Sequence, residues 1–194
     1  PLYAVCGSCH GAQAEGNATD TDIDAVPDGA GDDAADAAEV DGETCAGGWL
    51  DPTTGLCWQN PPDETETNWD AAMAHCEGLS LGECDDWHVP TISELRSLVR
   101  GCPSIETGGT CGVADSSPDL AGWGYDRCGD CSVADRPGTS RCFWPEDVSG
   151  ACNWYWSRTE VPGSGRFWFV AFSDGFVSYG SMVGLRVRCV RPGP

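Results

Sequence analysis

Cysteine constrains this chain more than any other residue. There are thirteen in 194 residues, and eleven of them fall at or beyond Cys45. A reducing cytosol would keep so many as thiols. The count therefore places the chain in an oxidising, extracytoplasmic compartment, secreted or on a bacterial outer cell surface. Thirteen is odd, so at least one cysteine is expected outside any intramolecular bridge. Spacing alone does not fix the pairing. The length suits one real core plus a tail.

Charge narrows the partners. The formal net charge is -21, all ten basic residues are Arg, and the first of them is Arg96. Such a surface repels phosphate backbones, so no nucleic-acid partner is expected. It suits calcium, cationic partners or plain solubility. No apolar run is long enough to span a bilayer, so no transmembrane segment is expected. The chain begins at Pro1 rather than Met, and a signal peptide is expected to have been removed or to lie outside this sequence.

The clearest local signal is Asp86-Trp87-His88-Val89-Pro90-Thr91-Ile92-Ser93-Glu94-Leu95. Thr91 and Glu94 have the spacing of a capping box, so a helix is predicted to start there. Pro90 delays its start and Pro103 is expected to stop it. Ile92, Leu95, Leu98 and Val99 share one face, which makes the helix half-buried, with Trp87 as an apolar anchor at its foot. An earlier helix is predicted to open at Thr67-Asn68-Trp69-Asp70, with Trp69, Ala72, Met73 and Cys76 on one face, and to end at Gly78. Between Cys45 and Gln59, turn residues separate two short segments, which read as a hairpin closed by a bridge.

Residues 101–152 are rich in Cys and Gly with little periodicity. They read as a long excursion held by disulfides, although Cys128-Gly129-Asp130-Cys131 has the spacing of a zinc or redox pair. Strands follow. Asn153–Ser157 is the first. Arg166–Phe172 is apolar on both faces and is predicted to be central. Ser173-Asp174-Gly175 signals a hairpin turn into Phe176–Tyr179. Gly184–Arg191 is predicted as the last strand, with Leu185, Val187 and Cys189 pointing one way and Arg186 and Arg188 the other.

The N-terminal arm, residues 1–19, carries Cys6-Gly7-Ser8-Cys9-His10-Gly11. C-x-x-C-H is the attachment signal for haem c. Two thiols three positions apart reach the two vinyl groups of one porphyrin, and the next residue, His10, is held under the iron. With Glu15-Gly16-Asn17 downstream, this stretch resembles the start of a class I cytochrome c, over under twenty residues. The alternative is a lipid anchor on Cys6 followed by an acidic tether, although Val5 stands where Gly, Ala or Ser normally precedes a lipidated cysteine. Residues 20–44 form an acidic linker that cannot fold alone. Asp20, Asp22, Asp24 and Asp28 alternate as in a calcium loop and are similar to thrombospondin type 3 repeats, with Ala25 in place of the turn glycine. A solvated linker is the plain alternative.

From about Cys45 to Pro192 the chain resembles the Lcl C-terminal domain family, named for collagen-like adhesins of bacterial surfaces. The matching pieces are Thr54-Gly-Leu-Cys-Trp-Gln59, Asn68-Trp-Asp-Ala-Ala72 with Cys76, Asp86-Trp-His-Val-Pro-Thr91 with Glu94-Leu95, Tyr155-Trp-Ser157, Phe172-Ser-Asp-Gly175 and Val187-Arg-Cys-Val-Arg191. The resemblance implies an α+β fold for residues 45–194: a C-type-lectin-like, disulfide-rich domain with two helices and a small twisted antiparallel sheet, related to formylglycine-generating enzymes and preceded here by an extended acidic arm. It implies a long-range bridge between Cys76 and Cys189 and a short one between Cys45 and Cys57. Many relatives are extracytoplasmic lipoproteins with Asp-rich tethers. Position 88 is usually Arg in the family, and here it is His88.

Two functions are expected to compete. In the first, Cys6, Cys9 and His10 hold haem c for electron transfer to a redox partner. The lectin-like domain is then scaffold or assembly surface, and self-association could line up haems of successive subunits in a filament. His88 is the leading distal ligand within the chain, with His75, Met73 and Met182 behind it, and a neighbouring subunit could supply the ligand instead. In the second, the domain is a non-catalytic adhesion module recognising glycan or matrix, with Trp123, Tyr125, Trp144 and Trp156 as exposed aromatics for stacking on sugars. The calcium-site tripeptides of sugar-binding C-type lectins are absent. No enzyme is expected: there are three His, no Ser-His-Asp or Cys-His constellation is visible, and Cys128 and Cys131 are too close for the copper-binding thiol pair of the formylglycine type.

Overall fold

The computed structural model describes residues 48–117, 127–129, 131–137, 141–181 and 184–193, with the backbone alone at Arg127. Helix α1 is Trp69–Glu77 and helix α2 is Ile92–Ser97. Both begin where side chains can satisfy the free first-turn amides. Asn68 accepts from the Ala71 amide at 2.8 Å. Thr91 Oγ1 accepts from the Glu94 amide at 3.2 Å, and Glu94 Oε2 accepts from the Thr91 amide at 2.7 Å, closing the capping box. Ile92, Leu95, Leu98 and Val99 are all buried, as their spacing requires. The helix is nevertheless shorter than predicted. It ends at Ser97, well before Pro103, because the Arg100 amide leaves the helix to bond the Phe143 carbonyl at 3.0 Å.

Two antiparallel sheets follow from the strand patterns. Strands β1 (Gly48–Leu50) and β2 (Leu56–Gln59) form the expected hairpin, and β7 (Val190–Pro192) pairs with the far side of β2. The second sheet has the order β3-β6-β5-β4, from β3 (Arg127–Cys128), β4 (Trp154–Val161), β5 (Arg166–Ala171) and β6 (Phe176–Gly180). The doubly apolar β5 is central, as predicted. Gly175, at φ 69°, makes the left-handed turn between β5 and β6.

The predicted last strand is broken. Leu185 bridges Thr67 and Arg186 bridges Tyr155, but only Val190–Pro192 is a continuous strand, and it belongs to the other sheet. The segment crosses between sheets, so no single ladder can hold it. Leu185, Val187 and Cys189 share one core, and Arg188, on the opposite side as predicted, is fully buried. Its guanidinium donates to the carbonyls of Gln59, at 2.7 Å, and Ser149, and lies 5.0 Å from the centre of the Trp144 ring. Burial lowers its pKa to about 10, so it stays charged at neutral pH.

The four-stranded sheet separates two cores. Tyr155, Trp168, Val170, Phe172 and Val177 face one core with α2, Phe143 and Trp144. Trp156 and Phe169 face the other with Ala72, Cys76, Trp87, Leu185, Val187 and Cys189. Four bridges join described cysteines. Cys76–Cys189 ties α1 to the C-terminal segment across 113 residues, as the family resemblance implied. Cys102–Cys131, Cys111–Cys128 and Cys142–Cys152 hold the excursion. Cys128 and Cys131 are thus committed to separate partners and form neither a redox pair nor a zinc site. Cys57 is also disulfide-bonded, while Cys45, its expected partner, lies outside the described residues.

Replacing both Cys76 and Cys189 by Ser should lower unfolding free energy by roughly 3–5 kcal/mol in non-reducing urea titrations, since the bridge closes a very long loop. Arg188→Met should cost about 2–4 kcal/mol in the same titration, because it strands the buried Gln59 and Ser149 carbonyls.

Candidate functional site

Most residues expected to carry chemistry fall where the structure gives no description. Cys6, Cys9, His10, Asp20, Asp22, Asp24 and Asp28 lie outside the described residues, as do Trp123, Tyr125 and Met182. His88 is described and half-buried. Its Nε2 is 3.4 Å from Glu94 Oε1, and its Nδ1 is 3.5 Å from the Asp86 carbonyl. His75 Nε2 is 3.3 Å from Asp63 Oδ2. Among the described residues no three His, Cys, Asp or Glu side chains cluster in a way that could hold a metal ion.

Two of the aromatics expected at the surface are core residues. Trp144 and Trp156 are both fully buried. Trp144 packs against Tyr155 and Phe172 and under Arg188. Trp156 turns inward because it alternates with Tyr155 and Ser157 on β4, and its Nε1 donates to the Thr67 carbonyl at 3.1 Å. Neither has a face to offer a ligand.

The structure instead brings Trp69 and Phe167 together at the surface. Their ring centroids are 3.7 Å apart and their planes differ by 12°. Both are half-buried. Trp69 is the first residue of α1, where the Asn68 cap fixes its direction, and its Nε1 donates to the Ser157 carbonyl at 3.0 Å. These two rings, with the buried Trp156, make up the aromatic lining of an open groove of about 310 Å³. Asn68, Asp70, Gly165 and Ser181 complete its lining. Both indole N–H groups in the groove are bonded to carbonyls, so its free hydrogen-bonding capacity comes from Asn68, Asp70 and Ser181. Sequence reasoning assigned Trp69 to the core face of α1 and missed this site. The signal was available: a tryptophan in the first turn of an amphipathic helix sits at the edge of the face that it helps to bury.

Residues 47–191 match the model of the Lcl C-terminal domain. The chain belongs to that family. No curated protein and no solved structure matches the chain. The Lcl C-terminal domain here is mixed α+β and disulfide-rich, and no helix among the described residues is long and apolar enough to cross a membrane.

In this Lcl C-terminal domain, His88 leans on the capping box through Glu94. Burial works to raise the Glu94 pKa, but the contacts from His88 and Thr91 overcome it and hold the carboxyl below its ordinary value. A carboxylate depressed on folding contributes stability above its unfolded pKa and loses that contribution as the pH falls through the folded value. Glu94→Gln should therefore cost about 1 kcal/mol at neutral pH. The gap from wild type should close as the pH falls below the carboxylate range, as read by urea midpoints across a pH series.

Proposed function

We propose that this chain is an extracytoplasmic, non-catalytic binding module that recognises glycan through the groove at Trp69 and Phe167. The observation that carries this reading is the stacked, half-buried aromatic pair beside Asn68, Asp70 and Ser181. Sugar rings present a C–H face and a rim of hydroxyls, and a ligand site of this kind needs an apolar floor with a few placed polar groups. The bridges support it further, because a surface module held by disulfides keeps its groove in shape without a partner. Membership of the Lcl C-terminal domain family, with its disulfide-rich fold, is consistent with an extracytoplasmic location. His75 and His88 each rest against a carboxylate, which supports structural roles for both.

On a glycan array the full chain should bind a restricted set of sugars. Trp69→Ala should remove that binding, while Trp123→Ala should leave it unchanged. Retained binding by the Trp69 variant would move the site elsewhere.

The N-terminal motif carries a second reading, in which Cys6 and Cys9 hold haem c with His10 as axial ligand and the domain serves as its mount. Bound haem would supply one-electron chemistry, with His88 as a ligand only if it left Glu94. Intact mass decides between the attachments. Addition of one haem, with a Soret band that survives denaturation, supports the redox reading. Addition of a diacylglycerol and an acyl chain supports a lipid-anchored surface module.

A further inference from the structure

The groove at Trp69 has a property that the binding-module reading does not require. None of its lining residues among those described is basic. Among them the ionisable group is the exposed carboxylate of Asp70, and Glu160 stands close by, accepting from the Gly165 amide at 2.9 Å. The nearest arginine in sequence, Arg166, alternates with Phe167 on β5 and turns its guanidinium over the Tyr179 ring on the other face of the sheet, 5.8 Å from its centre. Arg186 is engaged by the Glu64 carboxylate at 2.8 Å. The chain as a whole carries a net charge of -21.

We infer that the groove selects an uncharged pyranose and rejects uronic or sulfated sugars. This deepens the binding-module reading and rests on it. The selection has two parts. The exposed remainder of the stacked pair offers apolar surface to the C–H face of a sugar, and this contact needs no charge. The Asp70 carboxylate accepts from sugar hydroxyls, and the Asn68 amide and Ser181 hydroxyl supply donors, so the rim suits neutral hydroxyl groups. A sulfate or carboxylate in the same place would face Asp70 with no basic residue in the described lining to offset it, inside the field of a strongly acidic chain. The groove volume, about 310 Å³, is at the small end for ligand sites and suits one or two sugar rings. The side at Gly165 is open, since a Cβ there would meet nothing within 4 Å.

The test uses the full chain with two sets of probes: neutral gluco-, manno- and galacto-oligosaccharides, and heparin with polygalacturonate. At least one neutral series should bind saturably, with an affinity insensitive to added salt. The anionic probes should bind about a hundredfold more weakly or not at all. Ser181→Trp, an exposed position that can plug the groove without touching either core, should lower neutral binding at least about tenfold. Trp69→Ala should do the same, with circular dichroism to check its fold. Asp70→Asn should weaken the neutral ligand several-fold, and Asp70→Lys should admit polygalacturonate. Anionic glycans bound as tightly as neutral ones, and lost on Ser181→Trp, would overturn the selectivity and leave the binding-module reading standing. Binding of no glycan at all, or binding untouched by Ser181→Trp, would overturn both.

Discussion

The bridge between Cys76 and Cys189 holds the two halves of this domain together. One end lies in the last turn of α1 and the other at the point where the C-terminal segment passes from the four-stranded sheet to the three-stranded one. Around it the segment does four things in six residues. Leu185 and Val187 fill the core under α1. Arg186 bonds along the edge of β4. Arg188 crosses to the other core, and Val190 joins β2. A chain that must serve both sheets cannot be a regular strand, and the sulfur link fixes the crossing point.

Arg188 shows why the crossing is costly and how the cost is met. A guanidinium without a carboxylate partner in a core is ordinarily unfavourable. Here the rings of Trp144 and Tyr155 and the carbonyls of Gln59 and Ser149 replace part of its hydration. These carbonyls come from β2 and from the loop before β4, so one side chain fastens two separate pieces of backbone. Arg96 does related work near α2, where it is buried and bonds the carbonyls of Ile105, Val113 and Glu106. Two arginines therefore order loops that no sheet or helix would hold.

What was legible in the sequence was local. The capping box, the Asn68 cap, the central β5 and the turn at Gly175 each depend on a few adjacent residues, and each stands as the pattern implied. What was not legible depended on distant partners. Alternation placed Arg188 opposite Leu185, Val187 and Cys189, but it has no information on the aromatic box that receives it there. Trp144 and Trp156 looked available for the same reason. The pairing within the excursion could not be derived from spacing, since Cys128 and Cys131 are neighbours in the chain but bridge to different cysteines. The groove was split between α1 and β5, and nothing in the sequence near Trp69 announces Phe167, almost a hundred positions away.

Each of the three bridges in the excursion begins and ends within 102–152. Cys128 nonetheless lies on β3 beside β6, and Phe143 and Trp144 fill the core behind the sheet, so these cross-links tie the excursion to the scaffold. Thr107, Gly108 and Thr110, and residues 132–135, are exposed and belong to neither core. The freedom to vary is therefore confined to such exposed positions between the sulfurs, and homologous sequences should diverge there first.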